Sequence, residues 1–223
     1  MPGALTPRDR RLITWLSVFA VAMAFLESAV VVYLRALYYP AGFDFPLQPM
    51  PQAMALIEIG REAATVVMLL AVAVLATPDK WERFFAFSIA FGVWDIFYYI
   101  WLWVFLGWPP SLLTWDVLFL IPVPWLGPVL APVLVSVALI GCALWLWVER
   151  RLGLLLSFSP AHWTAAITGG CLVLVSFMLD FQTALNAQLP SAFHWEVFGA
   201  GMAIAIGALF HGLSRQGAVL RRG

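Results

Sequence analysis

Residues 54–76 read MALIEIGREAATVVMLLAVAVLA, and two features of that run decide the fold. It is long and apolar enough to cross a hydrocarbon core of about 30 Å as a helix, which takes roughly 20 residues. Yet Glu58, Arg61 and Glu62 stand in its first turns and share one helical face with Thr65. A charge at membrane depth is expensive and marks a site until another cause is found.

The rest of the chain has the same character. Of its 223 residues, 63% are hydrophobic and 11% charged, and the mean hydropathy is +0.93, which excludes an ordinary soluble domain. Apolar runs predict spans near 12–36, 54–76, 84–106, 128–148, 164–185 and 197–213. The expected fold is all-α: a single six-helix transmembrane domain over residues 1–223. Tyr39-Pro40-Ala41-Gly42 with Pro46, Pro49 and Pro51, then Thr77-Pro78-Asp79-Lys80, then Gly107-Trp108-Pro109-Pro110 punctuate the connections.

Ten of the twelve basic residues fall on alternate connections: Arg8, Arg10 and Arg11; Lys80 and Arg83; Arg150 and Arg151; Arg215, Arg221 and Arg222. Because loops left in the cytoplasm carry the Lys and Arg, both termini are expected there, in a bacterial-type inner membrane. A cleaved signal peptide ending near Ala20-Val21-Ala22 is the competing reading of the start. The apolar run continues through Val32, however, and its removal would leave an odd number of spans at odds with the charge pattern. The formal net charge is zero, and no nucleic-acid partner is expected. Cys142 and Cys171 fall inside spans, where they behave as small apolar residues.

Ser111 to Pro128 is apolar but too short and too proline-broken to cross. A re-entrant or interfacial segment over about 111–127 on the periplasmic side fits it, with Thr114 or Asp116 capping a short helix that ends at Pro122. An aromatic interfacial lid without chemistry is the plainer alternative.

Helix rise places the intramembrane charges. Glu27 lies roughly 24 Å past Arg11, Asp95 roughly 18 Å past Arg83 and Asp180 about 25 Å past Trp163, while Glu58, Arg61 and Glu62 enter from the far side. All fall between the midplane and the periplasmic interface. Asp95 shares a face of its span with Ser88, Gly92 and Tyr99, and Asp180 with Ser176 and Thr183. Glu27, Arg35, Glu58, Arg61, Glu62, Asp95, Tyr99, Asp116 and Asp180 are therefore the expected ligand- or proton-binding residues. Five carboxylates (Glu27, Glu58, Glu62, Asp95 and Asp180) against Arg35 and Arg61 leave a surplus of three negative charges, which requires retained protons, a bound cation or water. A divalent metal ion on Glu27, Glu58, Glu62, Asp95, Asp180, His194 and Glu196 is one candidate. Internal ion pairing, Glu58 with Arg61 and Glu27 or Glu62 with Arg35, is the structural alternative.

His162 and His211 lie at the cytoplasmic ends of their spans and could meet, so haem ligation is weighed, although interfacial histidines are the commoner case. Most of the twelve tryptophans fit aromatic belts; Trp94, Trp101 and Trp108 recur every seven residues and are expected to face lipid or a partner helix. Gly199, Ala203 and Gly207 form a small-residue ridge suited to close helix packing in a homo-oligomer or a larger membrane complex, with membrane lipids as the other partners.

No nucleophile elbow, Walker loop or His-rich pattern is present. Three functions follow: a periplasm-facing acidic pocket for a cation or small polar ligand, a membrane-embedded enzyme acting on a lipid or quinone headgroup, and a non-catalytic subunit. The scarcity of polar groups in the inner halves of the spans counts against a transport path.

Overall fold

Two of the first three helices begin where a side chain can satisfy the N–H groups that a helix leaves open. The Thr6 hydroxyl accepts from the Asp9 amide while the Asp9 carboxylate accepts from that of Thr6, a capping box that opens α1 (Pro7–Tyr38). Asp79 accepts from the amides of Trp81 and Glu82 and opens α3 (Lys80–Leu106). That helix stops at Gly107, which takes the left-handed conformation at φ 64°. The computed structural model describes residues 5–40, 42, 50–153, 156–186, 188 and 190–220, without the side chains of residues 184 and 214–220. Ala41, Pro46, Pro49, Arg221, Arg222 and the Arg215 side chain thus lie outside the described residues.

The remaining elements are α2 (Gln52–Ala76), β1 (Trp115–Phe119), β2 (Trp125–Pro128), α4 (Leu130–Arg151), α5 (Pro160–Met178), the short α6 (Phe181–Leu185) and α7 (Trp195–Leu220). Six helices are long and apolar enough to cross a membrane, α5 continuing into α6 as one of them, and the chain is a multi-pass membrane protein. Large apolar side chains on their outer faces, such as Val67 and Leu75 of α2, are exposed, as lipid contact requires.

The stretch expected to carry a short helix is instead a β-hairpin. Trp115 pairs with Pro128, Asp116 with Gly127 and Val117 with Leu126, and the register shifts before Phe119 meets Trp125. Pro122 and Pro124 deny a helix its N–H groups, whereas the aromatic and β-branched residues on either side suit paired strands. The loop leading into β1 gives the start of α4 its partners, since the Val129 amide donates to the Thr114 carbonyl (3.0 Å) and Leu130 to Leu112 (2.7 Å).

Gly92, Gly169 and Gly201 allow the closest helix approaches. A Cβ at Gly92 would stand 2.8 Å from the Ser136 carbonyl, and one at Gly201 would stand 2.7 Å from the Gly169 carbonyl, so α3 meets α4 and α5 meets α7 nearly backbone to backbone. α1, α2 and α3 enclose one core around Ala20, Ala24, Leu69 and Trp94. α5 and α7 form a second unit, joined to the first at one end by the hairpin, where Trp125 stacks on Phe177, and at the other by Trp81 against Trp163. Between these joints lies a partly open apolar cavity of about 430 Å³.

Candidate functional site

α1, α2, α3 and β1 together line a partly open cavity of about 270 Å³. Spacing along α2 turns Glu58, Arg61, Glu62 and Thr65 toward it; α1 adds Glu27 and Arg35, α3 adds Asp95, Tyr98 and Tyr99, and β1 adds Asp116. Of the nine residues expected at the site, eight line this cavity. Asp180 does not: its carboxylate meets His194 at 3.3 Å, and His194 in turn meets Glu196 at 3.3 Å. The fifth span breaks at Leu179, before Asp180, and this group of three stands apart from the cavity.

The helices are fastened at the cavity by backbone acceptors. The Ser28 hydroxyl donates to the Tyr98 carbonyl (3.0 Å) and the Trp101 indole to the Val21 carbonyl (3.1 Å), fixing α1 against α3. Trp94 is buried in the core and Trp108 lies 3.7 Å from the Arg35 guanidinium, ring face to cation. The seven-residue tryptophan repeat therefore faces α1 rather than lipid.

Arg61 pairs with Glu27 across the helices and with Glu58 on its own, the latter at 2.8 Å. Thr65 completes this group by donating to Glu27 Oε1 at 2.6 Å. The pairing of Glu58 with Arg61 is as expected, but Glu27 is taken by Arg61, and Arg35 meets Asp116 at 3.6 Å instead. Glu62 accepts from the Leu120 amide at 2.8 Å, tying α2 to the hairpin. Asp95 accepts from the Ser136 hydroxyl at 2.8 Å. Asp116 Oδ2 is buried with no hydrogen-bond partner among the described residues, while the Tyr99 hydroxyl faces that carboxyl. Burial pushes the Asp116 carboxyl up to about 6 against the opposing pull of Arg35.

With Asp116 in place of Asp180, five carboxyl groups still face two guanidiniums, and the surplus of three survives the change of membership. The metal expectation gains no support: among the described residues no three of His, Cys, Asp and Glu are grouped as ligands. Arginine separates Glu27 from Glu58, and the hairpin amide occupies Glu62. The contributions least visible in the sequence are Trp108, which reads as an interfacial aromatic, and the Leu120 amide, which requires the hairpin. Thr65, Tyr98 and Ser136 are signalled only by helical spacing or by polarity within a span.

The opposite end of the bundle holds a second charged cluster. Arg151 bonds Asp9 and Glu82 (2.6 and 2.7 Å), and Arg150 bonds Asp79. Arg150 beside Asp79 holds that carboxyl well below the usual carboxylate range. Compared with protein-family models, with curated proteins and with solved structures, the chain finds no match.

Proposed function

We propose that the cavity between α1, α2, α3 and β1 binds a small cation, an organic ammonium group or a proton, and that it opens to the periplasmic side of a bacterial-type inner membrane with both termini cytoplasmic. The single observation that carries this reading is the gathering of five carboxyl groups and only two guanidiniums around a partly open cavity of about 270 Å³. Buried like charges of that number repel unless a positive ligand or protons balance them. The room suits a small molecule rather than a bare ion, and the aromatic residues Trp94, Tyr98 and Tyr99 on its wall suit an ammonium group. Asp116, titrating at about 6, can exchange a proton for that ligand near neutral pH. The orientation rests on the basic residues of the alternate connections, and on this orientation the hairpin covers the site from outside as the re-entrant or interfacial segment.

Calorimetric titration of the protein in lipid nanodiscs with choline chloride and, separately, sodium chloride tests the proposal. Saturable binding of choline that is lost in Glu62→Gln is the expected result. Heats no larger than buffer dilution, unchanged by the substitution and by pH between 5 and 8, would discard it.

One observation favours an enzyme acting on a lipid or quinone headgroup instead: Asp116 has a buried carboxyl oxygen without a hydrogen-bond partner among the described residues and faces the Tyr99 hydroxyl, an arrangement suited to general base and acid. In the subunit reading, the outward stripe of Gly199, Ala203 and Gly207, where an added Cβ meets nothing within 4 Å at either glycine, is the face for a second copy or another membrane helix.

A further inference from the structure

The carboxyl groups of the acidic cavity are only half supplied with hydrogen-bond donors. Glu58 accepts from Arg61 on Oε2, Glu62 from the Leu120 amide on Oε2 and Asp95 from the Ser136 hydroxyl on Oδ2. The second oxygen of each has no donor among the described residues. Asp116 is the sharpest case. It lines the cavity and is 3% exposed, and its Oδ2 is buried with no hydrogen-bond partner among the described residues, although the Tyr99 hydroxyl faces the same carboxyl. Arg35 stands 3.6 Å from Oδ1, close enough to balance charge and too far for a hydrogen bond. Trp94 has the opposite need on the same wall: it is 6% exposed, and its indole N–H is buried without an acceptor among the described residues. Buried polar atoms are rarely left so, because an unmatched donor or acceptor is destabilising.

Organic cations differ in what they bring to such a wall. A quaternary ammonium balances charge and rests on aromatic rings, but its nitrogen has no hydrogen to donate. A primary ammonium brings three N–H donors. It is the more strongly hydrated ion, and losing that water is made good only where carboxylate oxygens take the N–H groups in charge-assisted hydrogen bonds. Here four such oxygens, on α2, α3 and β1, stand without donors.

We infer that the cavity selects a protonated primary amine that also carries an oxygen acceptor, with the ammonium at Asp116 and the neighbouring carboxyls and the oxygen at the Trp94 indole. This chemistry is shared by a free amino alcohol and by the ethanolamine head of a phospholipid. The inference rests on the reading of the cavity as a cation site and goes further in naming the class of cation. Choline enters by charge and is held less tightly, since its methyl groups leave the carboxyl oxygens unmatched.

Calorimetric titration of the protein in dodecyl maltoside with ethanolamine, ethylamine and choline, each as the chloride salt at neutral pH, provides the test. Ethanolamine and choline share a hydroxyethyl arm and differ in the methyl groups on nitrogen, whereas ethylamine lacks the oxygen. Ethanolamine should bind about tenfold more tightly than choline and about threefold more tightly than ethylamine. Asp116→Asn should remove most of the preference over choline. Trp94→Phe keeps a ring and loses the N–H, so it should remove the preference over ethylamine and leave ethylamine affinity unchanged. Choline or ethylamine binding as tightly as ethanolamine to the wild type overturns the inference and leaves the cation reading of the cavity intact. No heat from any of the three overturns both. A preference over choline kept in Asp116→Asn, or over ethylamine kept in Trp94→Phe, overturns the inference as well. Phosphatidylcholine nanodiscs with and without phosphatidylethanolamine separate the two sources: weaker ethanolamine binding when the second lipid is present assigns the site to the lipid head, and equal binding assigns it to a free amine.

Discussion

The two ends of the bundle are both rich in arginine and carboxylate, and they differ in balance and in space. At one end Asp9, Asp79 and Glu82 face Arg150 and Arg151, and Arg83 donates to the Thr77 carbonyl. Its carboxylates also cap helix starts, and the pairs hold the beginnings of α1 and α3 to the end of α4. At the other end five carboxyls face two arginines across an open volume. The same residue types serve as a clasp where charges match and leave a binding site where they do not.

Removing one arginine from each end breaks the comparison most sharply. Arg61→Ala leaves Glu27 and Glu58 buried without their shared partner and should cost about 3–5 kcal/mol, read as a large fall in unfolding midpoint in detergent; Glu27→Gln with Glu58→Gln in the same chain should restore most of it. Glu62→Gln retains an acceptor for the Leu120 amide, so the midpoint should hold while choline affinity falls at least tenfold, about 1.4 kcal/mol. A loss of stability with unchanged affinity would instead assign Glu62 to the framework.

pH separates the ends in sign. The Asp116 carboxyl is raised to about 6, so its contribution is full below the ordinary carboxylate range and is lost as pH rises through 6. Unfolding midpoints of the wild type should therefore fall between pH 5 and 7, and Asp116→Asn should flatten that slope. The Asp79 carboxyl is lowered by Arg150, so its contribution is present at neutral pH and fails only as pH drops below the usual carboxylate range; Asp79→Asn should leave the slope between pH 5 and 7 unaltered.

Smaller effects belong to the balanced end. Asp79→Ala removes the cap on Trp81 and Glu82 and should cost about 1 kcal/mol. Arg150→Ala, at a partly exposed pair, should cost about 0–1 kcal/mol and less in high salt. A cost for Arg150→Ala equal to that of Arg61→Ala would erase the distinction drawn between the ends.

Much of this was legible in the chain. Six apolar runs correspond to six membrane-length helices, and the shared face of Glu58, Arg61, Glu62 and Thr65 is a direct consequence of 3.6 residues per turn. Asp116 was legible as a charge in an apolar segment, although the secondary structure around it was misread: alternation over five residues is too short a signal to set against a helix. Asp180 falls outside the cavity because depth along a helix does not say which helices pack together: α5 lies against α7, and the Asp180 carboxylate meets His194. His162 and His211 were expected near each other by depth, but a shared hydrogen bond depends on which faces of α5 and α7 meet.

By itself the sequence determined that the protein holds six helices long and apolar enough to cross a membrane and buries more acid than base, because hydrophobic length and charge count are sums over residues that need no partners. Only the tertiary structure decided which carboxyl fills the fifth place, which arginine each acid holds and that a hairpin closes the cavity. Those outcomes depend on how helices rotate and pack against one another, and on strands whose hydrogen bonds are satisfied only across the turn that joins them.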